Sequence, residues 1–281
     1  LAMGVSTASG ERRRELTANH ADGEGAIDGA FQRRPEAGRG CVRAAVAFMW
    51  ASMALQHQKH RAFGRELAYA LDVPDPWPTG VDVPLVLFLH GAGERGSDGL
   101  RQLAYLEPWL DGRLSKVPRV LLAPQCPERQ QWVDTPFDGG SYSLERVAAS
   151  RPMKVVRDII AEVRRTFPVG ALHLSGLSMG GYGVWDFALR SPEQVASVLA
   201  ICGGADPRQA ARLAAHRVWA FHGERDLAVP VSGSREMIAA LRAAGGRPRY
   251  TEFAGEGHII WNTVFADPKV LAWQLEGQSP P

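Results

Sequence analysis

The chain has 281 residues, of which 45% are hydrophobic and 22% are charged, with 30 glycines and 19 prolines. This apolar fraction is ample for a buried core and excludes a wholly disordered chain, a collagen and a coiled coil. Its three cysteines are too few for a disulfide-stapled scaffold. The net charge of +2 comes entirely from residues 1–60. Residues 61–281 therefore have no basic excess that would attract nucleic acid or an anionic membrane.

The first sixty residues differ in composition from the rest of the chain. Residues 1–40 are rich in Gly, Ala, Arg and Glu and contain few large aliphatic side chains. Such a segment buries too little apolar surface to offset the entropy lost on ordering. We expect residues 1–60 to be poorly structured or weakly packed, and residues 61–281 to form the folded domain.

An uncharged run at residues 44–55 interrupts this first segment. It is too short to cross a bilayer, so no integral membrane span is expected. One interpretation is the hydrophobic region of a secretory signal, with Ser52 and Ala54 at the cleavage site. The others are a helix packed on the domain, or a start placed too far upstream, with Met49 or Met53 as the true beginning. A cytoplasmic location is favoured, and a secreted or periplasmic one follows if the run is a signal.

From residue 66 onward, short apolar runs alternate with segments of helical period, which is the pattern of a parallel sheet with crossover helices. Several runs are apolar at consecutive positions, as in strands covered on both faces. The predicted strands occupy residues 66–71, 84–89, 120–123, 172–175, 195–201, 218–221 and 249–253. The predicted helices occupy residues 153–167, 232–244 and about 267–275. One α/β domain is expected, with a long and weakly patterned loop at residues 124–152.

The strongest chemical motif is Gly-Leu-Ser-Met-Gly-Gly, which begins at Gly176 and centres on Ser178. It follows a predicted strand and precedes a helical pattern, the context in which G-x-S-x-G forms a nucleophile elbow. Glycine at 176 and at Gly180 permits a turn tight enough to lift the serine hydroxyl above the sheet. Ser178 is the predicted nucleophile, and the N–H of Met179 at the helix start is a predicted oxyanion donor.

A serine hydroxyl needs a base to remove its proton and an acid to orient that base. Among eight histidines, His258 stands in a loop after the last predicted strand, from which it can reach a serine on another connection. Asp226, in the loop after the strand at residues 218–221, is the predicted acid, and Glu224 is its rival. The resulting order of serine, aspartate and histidine along the chain is the order of α/β hydrolases.

A glycine-rich turn, His90-Gly91-Ala92-Gly93, follows the predicted strand at residues 84–89. Its backbone can approach a ligand closely, and we expect Ala92 to supply the second oxyanion N–H and Gly91 to contact substrate. His90, and His222 at the end of another strand, are expected to serve packing and backbone hydrogen bonding. The turn lacks the Walker spacing and its lysine, and its fit to G-x-G-x-x-G lacks the acidic residue of a dinucleotide site. No cofactor and no metal is expected.

Four segments, LFLHGAGERG, GLSMGGYGVWDFA, FHGERDLAVP and YTEFAGEGHIIW, together resemble the α/β-hydrolase superfamily. Within it, the chain is similar to bacterial serine esterases of the predicted-peptidase, phospholipase/carboxylesterase, dienelactone-hydrolase-like and feruloyl-esterase-like branch, over residues 66–276. The resemblance implies a mostly parallel central sheet with helices on both faces. It also implies Ser178, Asp226 and His258 as catalytic residues, with an oxyanion hole at the two N–H groups already named.

The same resemblance bears on the substrate pocket. It implies that Trp132, in the long loop, lines the acyl or alcohol pocket. Dienelactone hydrolases use a cysteine nucleophile, so Ser178 favours ordinary esters. Ile259-Ile260-Trp261 stands where similar esterases often have Asn-Ser-Trp, which makes the rim more apolar and Trp261 a predicted pocket wall. Only residues 202–217 separate two predicted strands, so no large cap domain is expected, and an open site favours short or bulky soluble esters.

The sequence thus predicts a serine carboxylesterase for short-chain or aryl esters of the feruloyl or acetyl type, with a small-molecule ester as its partner. A peptidase or amidase on the same site is the alternative, because the triad does not fix the leaving group. A non-catalytic binding protein is disfavoured, since such proteins normally lose a member of the triad. The oligomeric state is left open.

Overall fold

An eight-stranded sheet organises the protein in a computed structural model that describes residues 53–80, 83–110 and 117–276. The strands are β1 (Met53–Ala62), β2 (Arg65–Pro74), β3 (Val83–Leu89), β4 (Val120–Pro124), β5 (Val169–Leu177), β6 (Val195–Ile201), β7 (Arg217–Gly223) and β8 (Arg249–Phe253). The α-helices are α1 (Glu107–Leu110), α2 (Arg151–Thr166), α3 (Met179–Arg190), α4 (Ser232–Ala243), α5 (Trp261–Ala266) and α6 (Pro268–Glu276). Each strand and helix predicted from the apolar pattern is present, with bounds that shift by a few residues.

The strand order is β1-β2-β4-β3-β5-β6-β7-β8. Strand β2 is antiparallel to both of its neighbours, and every other pair in the sheet is parallel. The carboxyl ends of β3, β5, β6, β7 and β8 therefore meet at one edge of the sheet. Loops at that edge are where ligands bind in open α/β sheets.

Apolar side chains cover both faces of the sheet. Along β3, Leu85, Leu87 and Leu89 belong to one core cluster, while Val86 and Phe88 belong to the other. This alternation explains the unbroken apolar runs of the sequence, because successive side chains of a strand point to opposite faces. None of the helices in the described ranges is long and apolar enough to cross a membrane.

Helix α2 illustrates how the local sequence sets an element. Ser150 caps its start by accepting a hydrogen bond from the backbone N–H of Met153 at 3.2 Å. The helix then buries one stripe of side chains at helical spacing, which are Val155, Val156, Ile159, Ile160 and Val163. The same serine donates its hydroxyl to the carbonyl of Trp132 at 2.8 Å. The cap thus also fixes the long loop that precedes the helix.

The folded unit begins earlier than the predicted boundary at residue 61. Strand β1 starts at Met53 and pairs with β2 along its whole length, and His60 lies within hydrogen-bond distance of Asp158 (2.7 Å) and Glu162 (2.8 Å) on α2. No apolar run marks β1, because it is a mostly exposed edge strand with polar and small side chains. Residues 1–52, which include most of the run at residues 44–55, lie outside the described residues. Their predicted properties stay predictions.

Candidate active site

Ser178 stands in the sharp turn between β5 and α3. Its backbone has φ 53° and ψ −119°, a strained conformation for a residue with a side chain. Its N–H donates to the carbonyl of Ile201 on the adjacent strand at 2.8 Å, which holds the turn in place. A Cβ at Gly176 would lie 2.3 Å from the carbonyl oxygen of Gly180, and one at Gly180 would lie 1.8 Å from that of Leu89. Only glycine fits these two positions, as the motif predicted.

A continuous chain of hydrogen bonds joins the three residues predicted as a triad. The Nε2 atom of His258 lies 2.8 Å from Oγ of Ser178, and its Nδ1 lies 2.6 Å from Oδ2 of Asp226. Because a carboxylate only accepts, the ring proton is assigned to Nδ1, which leaves Nε2 free to accept the serine hydroxyl. The serine is 9% exposed, so it is mostly buried but keeps some solvent-accessible surface. The geometry is that of a serine nucleophile with its general base.

Asp226 is fixed by four hydrogen-bond donors. Its Oδ1 accepts from the backbone N–H groups of Ala228 (2.9 Å) and Val229 (2.8 Å), and its Oδ2 lies 3.2 Å from Nε2 of His222 as well as near His258. Burial raises the pKa of Asp226, but these hydrogen bonds outweigh burial and hold the pKa well below its usual range. The carboxylate is therefore ionised at neutral pH and able to orient the imidazole.

The rival acid and the supporting histidine have different positions. Glu224 is exposed and accepts from the backbone N–H of Gly255 at 2.7 Å, so it belongs to a surface turn. His222 is fully buried and lies within hydrogen-bond distance of the carbonyl of Val229 and of Oγ of Ser234, the packing role expected from the sequence. Its contact with Asp226 was not expected. In the sequence, this contact is indicated by the spacing of four residues between His222 and Asp226 at the end of β7.

The two predicted oxyanion donors lie on either side of the serine. Met179 is the first residue of α3, where a backbone N–H has no acceptor within the helix. Ala92 opens a short 3₁₀ turn, Ala92–Glu94, after β3. A Cβ at Gly91 would lie 3.5 Å from Cβ of Ser178 and 2.8 Å from Cδ1 of Leu177, so this turn runs directly beside the serine. The arrangement suits two N–H groups that receive one oxyanion.

The ring of His90 stabilises that turn through hydrogen bonds. Its Nδ1 lies 2.6 Å from the carbonyl of Gly91, and its Nε2 accepts the backbone N–H of Cys126 at 2.8 Å. Burial lowers the pKa of His90 to about 4, so the ring is neutral and Nδ1 carries the proton. Trp132 is fully buried and donates its indole N–H to the carbonyl of His90 at 3.0 Å. This corrects the predicted role of Trp132, because a ring with no exposed surface supports the turn and does not face a substrate.

Aromatic and apolar side chains border the site. Trp261, at the start of α5, packs edge-to-face against His258 at 5.2 Å and against Tyr105 at 5.7 Å between ring centroids. Trp261 therefore lies beside the predicted base and is 7% exposed, and its role as a pocket wall stays a prediction. Leu227 and Ile259 follow the acid and the base in sequence and are 99% and 69% exposed. Both are exposed apolar side chains next to triad residues in sequence, and the sequence predicted an apolar rim at Ile259 only.

Glu94 is a site neighbour that the sequence analysis missed. A Cβ built on Gly91 would lie 3.0 Å from its Oε2, and the hydroxyl of Tyr105 donates to its Oε1 at 3.5 Å. Burial raises the pKa of this carboxyl despite nearby backbone N–H groups. A carboxyl group therefore lies beside the turn that contains Gly91 and Ala92.

Cys202, Asp226 and His258 place potential metal-ligand atoms within 4.8 Å of one another. The atoms are already engaged, since the thiol donates to the carbonyl of His258 at 3.4 Å and the imidazole bonds the carboxylate. Burial raises the pKa of the Cys202 thiol, which keeps it protonated and a poor ligand. The donor set fits a hydrogen-bonded relay better than a metal centre.

A model of the Esterase family matches residues 61–274, which is most of the chain. The chain belongs to the Esterase family. Among solved structures, this esterase-family chain is similar to a thermostable esterase, with 30% identity, a TM-score of 0.70 and coverage of 79% of this chain and 62% of that one. It thus spans less than two thirds of that protein's length. No curated protein matches the sequence.

More distant structures share the fold. A ferulic acid esterase aligns with 15% identity and a TM-score of 0.60 over 80% of this chain and 99% of its own. An acylaminoacyl peptidase of Pyrococcus horikoshii aligns with 14% identity and a TM-score of 0.60 over 85% of this chain and 45% of its own. The predicted α/β-hydrolase fold is confirmed by the sheet and by these neighbours.

Proposed function

We propose that this esterase-family chain hydrolyses carboxylic esters through an acyl-enzyme formed on Ser178. The observation that carries the proposal is the hydrogen-bonded chain from Oγ of Ser178 through His258 to the ionised Asp226, at 2.8 and 2.6 Å. Ser178 stands on a strained turn at the carboxyl edge of the sheet, beside the two predicted oxyanion N–H groups. Each part has a separate task in acyl transfer.

In acylation, Nε2 of His258 takes the proton from Ser178 as Oγ attacks the ester carbonyl carbon. Asp226 stabilises the imidazolium and holds its ring orientation. The N–H groups of Ala92 and Met179 donate to the carbonyl oxygen as it becomes an oxyanion, each contributing about 3 kcal/mol to transition-state stabilisation. The intermediate collapses, and the leaving alkoxide takes the proton from His258. Water activated by the same imidazole then releases the acid and regenerates the serine.

The surroundings of the site support short-chain or aryl esters as substrates. In the described residues the connection between β6 and β7 holds only a short 3₁₀ helix, Pro207–Leu213, so no large cap covers the serine from there. The exposed side chains of Leu227 and Ile259, which follow the acid and the base, and the Trp261 ring against His258 suit an aromatic or short aliphatic group. Two of the structural neighbours are described as a ferulic acid esterase and a feruloyl esterase module, which agrees with an aryl ester.

The test is a substrate series with matched variants. Wild type, Ser178→Ala and the control Ser97→Ala, an exposed serine, are assayed on p-nitrophenyl esters from acetate to palmitate, on methyl ferulate and on an acetyl-peptide p-nitroanilide. We expect the short or aryl esters to be cleaved fastest, and Ser178→Ala to lose activity by about 10⁴-fold or more. Faster anilide than ester cleavage would replace the ester proposal with a peptidase. A rate that Ser178→Ala leaves unchanged would remove the proposed nucleophile.

A further inference from the structure

A cavity lies at the amino ends of β7 and β8, which is the edge of the sheet opposite Ser178. Its volume is about 340 Å³, and it is lined by residues 214–218, Gly245, Arg247, Arg249 and Trp273. Neither the proposed esterase chemistry nor the packing of the core uses it. We call it the basic cavity, after the four side chains His216, Arg217, Arg247 and Arg249 that line it.

Positive charge in the basic cavity has no acidic partner among the residues that the structure describes. No lining residue is acidic. Within the described ranges, Arg217, Arg247 and Arg249 form no ion pair with any carboxylate. Burial lowers the pKa of Arg217, and the charge of the adjacent Arg249 lowers it further. Arginines stay charged under such conditions, so like charges face one another here and an anion would relieve their repulsion.

Neutral aromatic rings hold two of these guanidinium groups in place. Arg217 lies over the ring of Trp273 at 4.9 Å, and Arg249 lies over the ring of Trp219 at 5.0 Å. The two tryptophans contact each other edge-to-face, with their ring centroids 5.4 Å apart. Arg217 also donates to the backbone carbonyl of Trp273. Stacking orients the two guanidinium groups without neutralising their charge. They are therefore held in position to bind an oxyanion.

His216 adds a further polar group to the wall. Its Nε2 lies 2.9 Å from the carbonyl of Pro192 and so carries a proton. Its Nδ1 is buried and has no hydrogen-bond partner in the described part of the chain. A buried acceptor without a partner is costly, and the hydroxyl of a monoprotonated phosphate or of a phosphate ester's alcohol can donate to it.

We propose that the basic cavity binds a phosphate group, either as inorganic phosphate or as a phosphate monoester. A tetrahedral dianion can accept from several guanidinium groups at once, and Arg is the residue best matched to that geometry. The cavity is at the small end of the range for small-molecule sites, about 300–1,000 Å³, so it suits a phosphate with a small alcohol. This site is independent of the esterase site.

The test is calorimetric titration of the full chain at low ionic strength with two probes, inorganic phosphate and glycerol phosphate. Wild type is compared with Arg249→Gln, with Arg247→Gln and with Arg242→Gln, an exposed arginine on α4 outside the cavity. We expect one saturable site that weakens with salt, and affinity that falls about tenfold or more in each cavity variant but not in Arg242→Gln. Tighter binding of glycerol phosphate identifies a monoester as the ligand, and equal or tighter binding of phosphate identifies the free ion.

Two results would overturn the proposal. One is the absence of saturable binding of either probe by wild type, and the other is equal affinity in wild type and both cavity variants. Arg247 is exposed, so its substitution leaves the fold intact even if Arg249→Gln disturbs the stacked ring beneath it. Ser178→Ala must bind phosphate like wild type, which separates a failure of this site from a failure of the esterase proposal.

Discussion

Substitution of Asp226 by asparagine tests the orientation of the proposed catalytic base. The Oδ1 atom of Asp226 accepts from the N–H groups of Ala228 and Val229 at 2.9 and 2.8 Å. An amide with its NH₂ group on that side would leave both backbone donors without acceptors, at about 1–3 kcal/mol for the buried N–H of Val229. The amide oxygen must therefore keep the Oδ1 position. Its NH₂ group then occupies the Oδ2 position and faces His258.

This orientation reverses the tautomer of the imidazole. An NH₂ group donates, so Nδ1 of His258 must accept and the ring proton moves to Nε2, which lies 2.8 Å from Oγ of Ser178. A protonated Nε2 cannot take the serine proton. We expect Asp226→Asn to lower kcat by about 10⁴-fold, equivalent to about 5 kcal/mol of transition-state stabilisation. The fold should remain, because the shape and the backbone hydrogen bonds of the side chain are conserved.

The assay is hydrolysis of p-nitrophenyl butyrate at neutral pH, with thermal unfolding of each variant as the check on folding. Glu224→Gln is the matched control, since it makes the same chemical change at the exposed rival acid, and it should leave kcat unchanged. Retention of more than about one tenth of kcat by a folded Asp226→Asn would refute the reasoning on the tautomer. A large loss of kcat in Glu224→Gln would show that Glu224, and not Asp226, is the catalytic acid.

Three further predictions concern glycine, tryptophan and histidine. Gly180→Ala should lower the free energy of unfolding by about 3 kcal/mol or more, because its Cβ would lie 1.8 Å from a carbonyl oxygen of β3, whereas Gly93→Ala meets nothing within 4 Å. Trp132→Phe removes the donor to His90 and should lower kcat about tenfold, with no change in acyl-chain preference. Burial lowers the pKa of His173 from 6.5 to about 4. As the pH falls, the unfolded chain therefore binds a proton at this histidine before the folded chain does. The free energy of unfolding should fall as the pH falls from 6.5 toward 4. His173→Gln should remove up to about 1.4 kcal/mol per pH unit of that slope.

Urea unfolding and steady-state kinetics decide these three cases. Equal stability of Gly180→Ala and Gly93→Ala would show that the elbow tolerates a side chain. A shift in chain-length preference in Trp132→Phe would restore this ring to the pocket wall. Parallel stability profiles of wild type and His173→Gln between pH 7 and pH 5 would contradict a neutral buried imidazole.

The parts of the fold and site that the sequence predicted depend on local pattern. Strand β3 was visible because both of its faces are buried, which leaves no polar residue to interrupt the apolar run. The elbow was visible because its G-x-S-x-G pattern is local and lies between a strand pattern and a helical pattern, with Gly176 required by the backbone of Gly180 in the same turn. Ser178, Asp226 and His258 followed from chain order and from their place after strands, since the carboxyl ends of parallel strands converge.

The parts that the sequence did not reveal depend on distant contacts. Strand β1 is held by its pairing with β2 and by His60 against α2, and neither leaves an apolar pattern. The pocket role of Trp132 is implied by the resemblance to esterases and by no contact that the sequence itself encodes. Only the fold shows that its indole N–H bonds the carbonyl of His90, 42 residues away. The raised pKa of Glu94 likewise depends on burial, which no spacing encodes.

The central claim is that Ser178 is a nucleophile activated by His258, and covalent trapping tests it most directly. The wild type is treated with a fluorophosphonate ester, and the modified peptide is identified by mass spectrometry, with His258→Ala and Ser178→Ala as comparisons. We predict one adduct per chain, on Ser178, formed together with loss of ester hydrolysis. The adduct should form far more slowly in His258→Ala and be absent at this position in Ser178→Ala. An adduct on another residue, or full hydrolytic activity in the modified protein, would contradict the account.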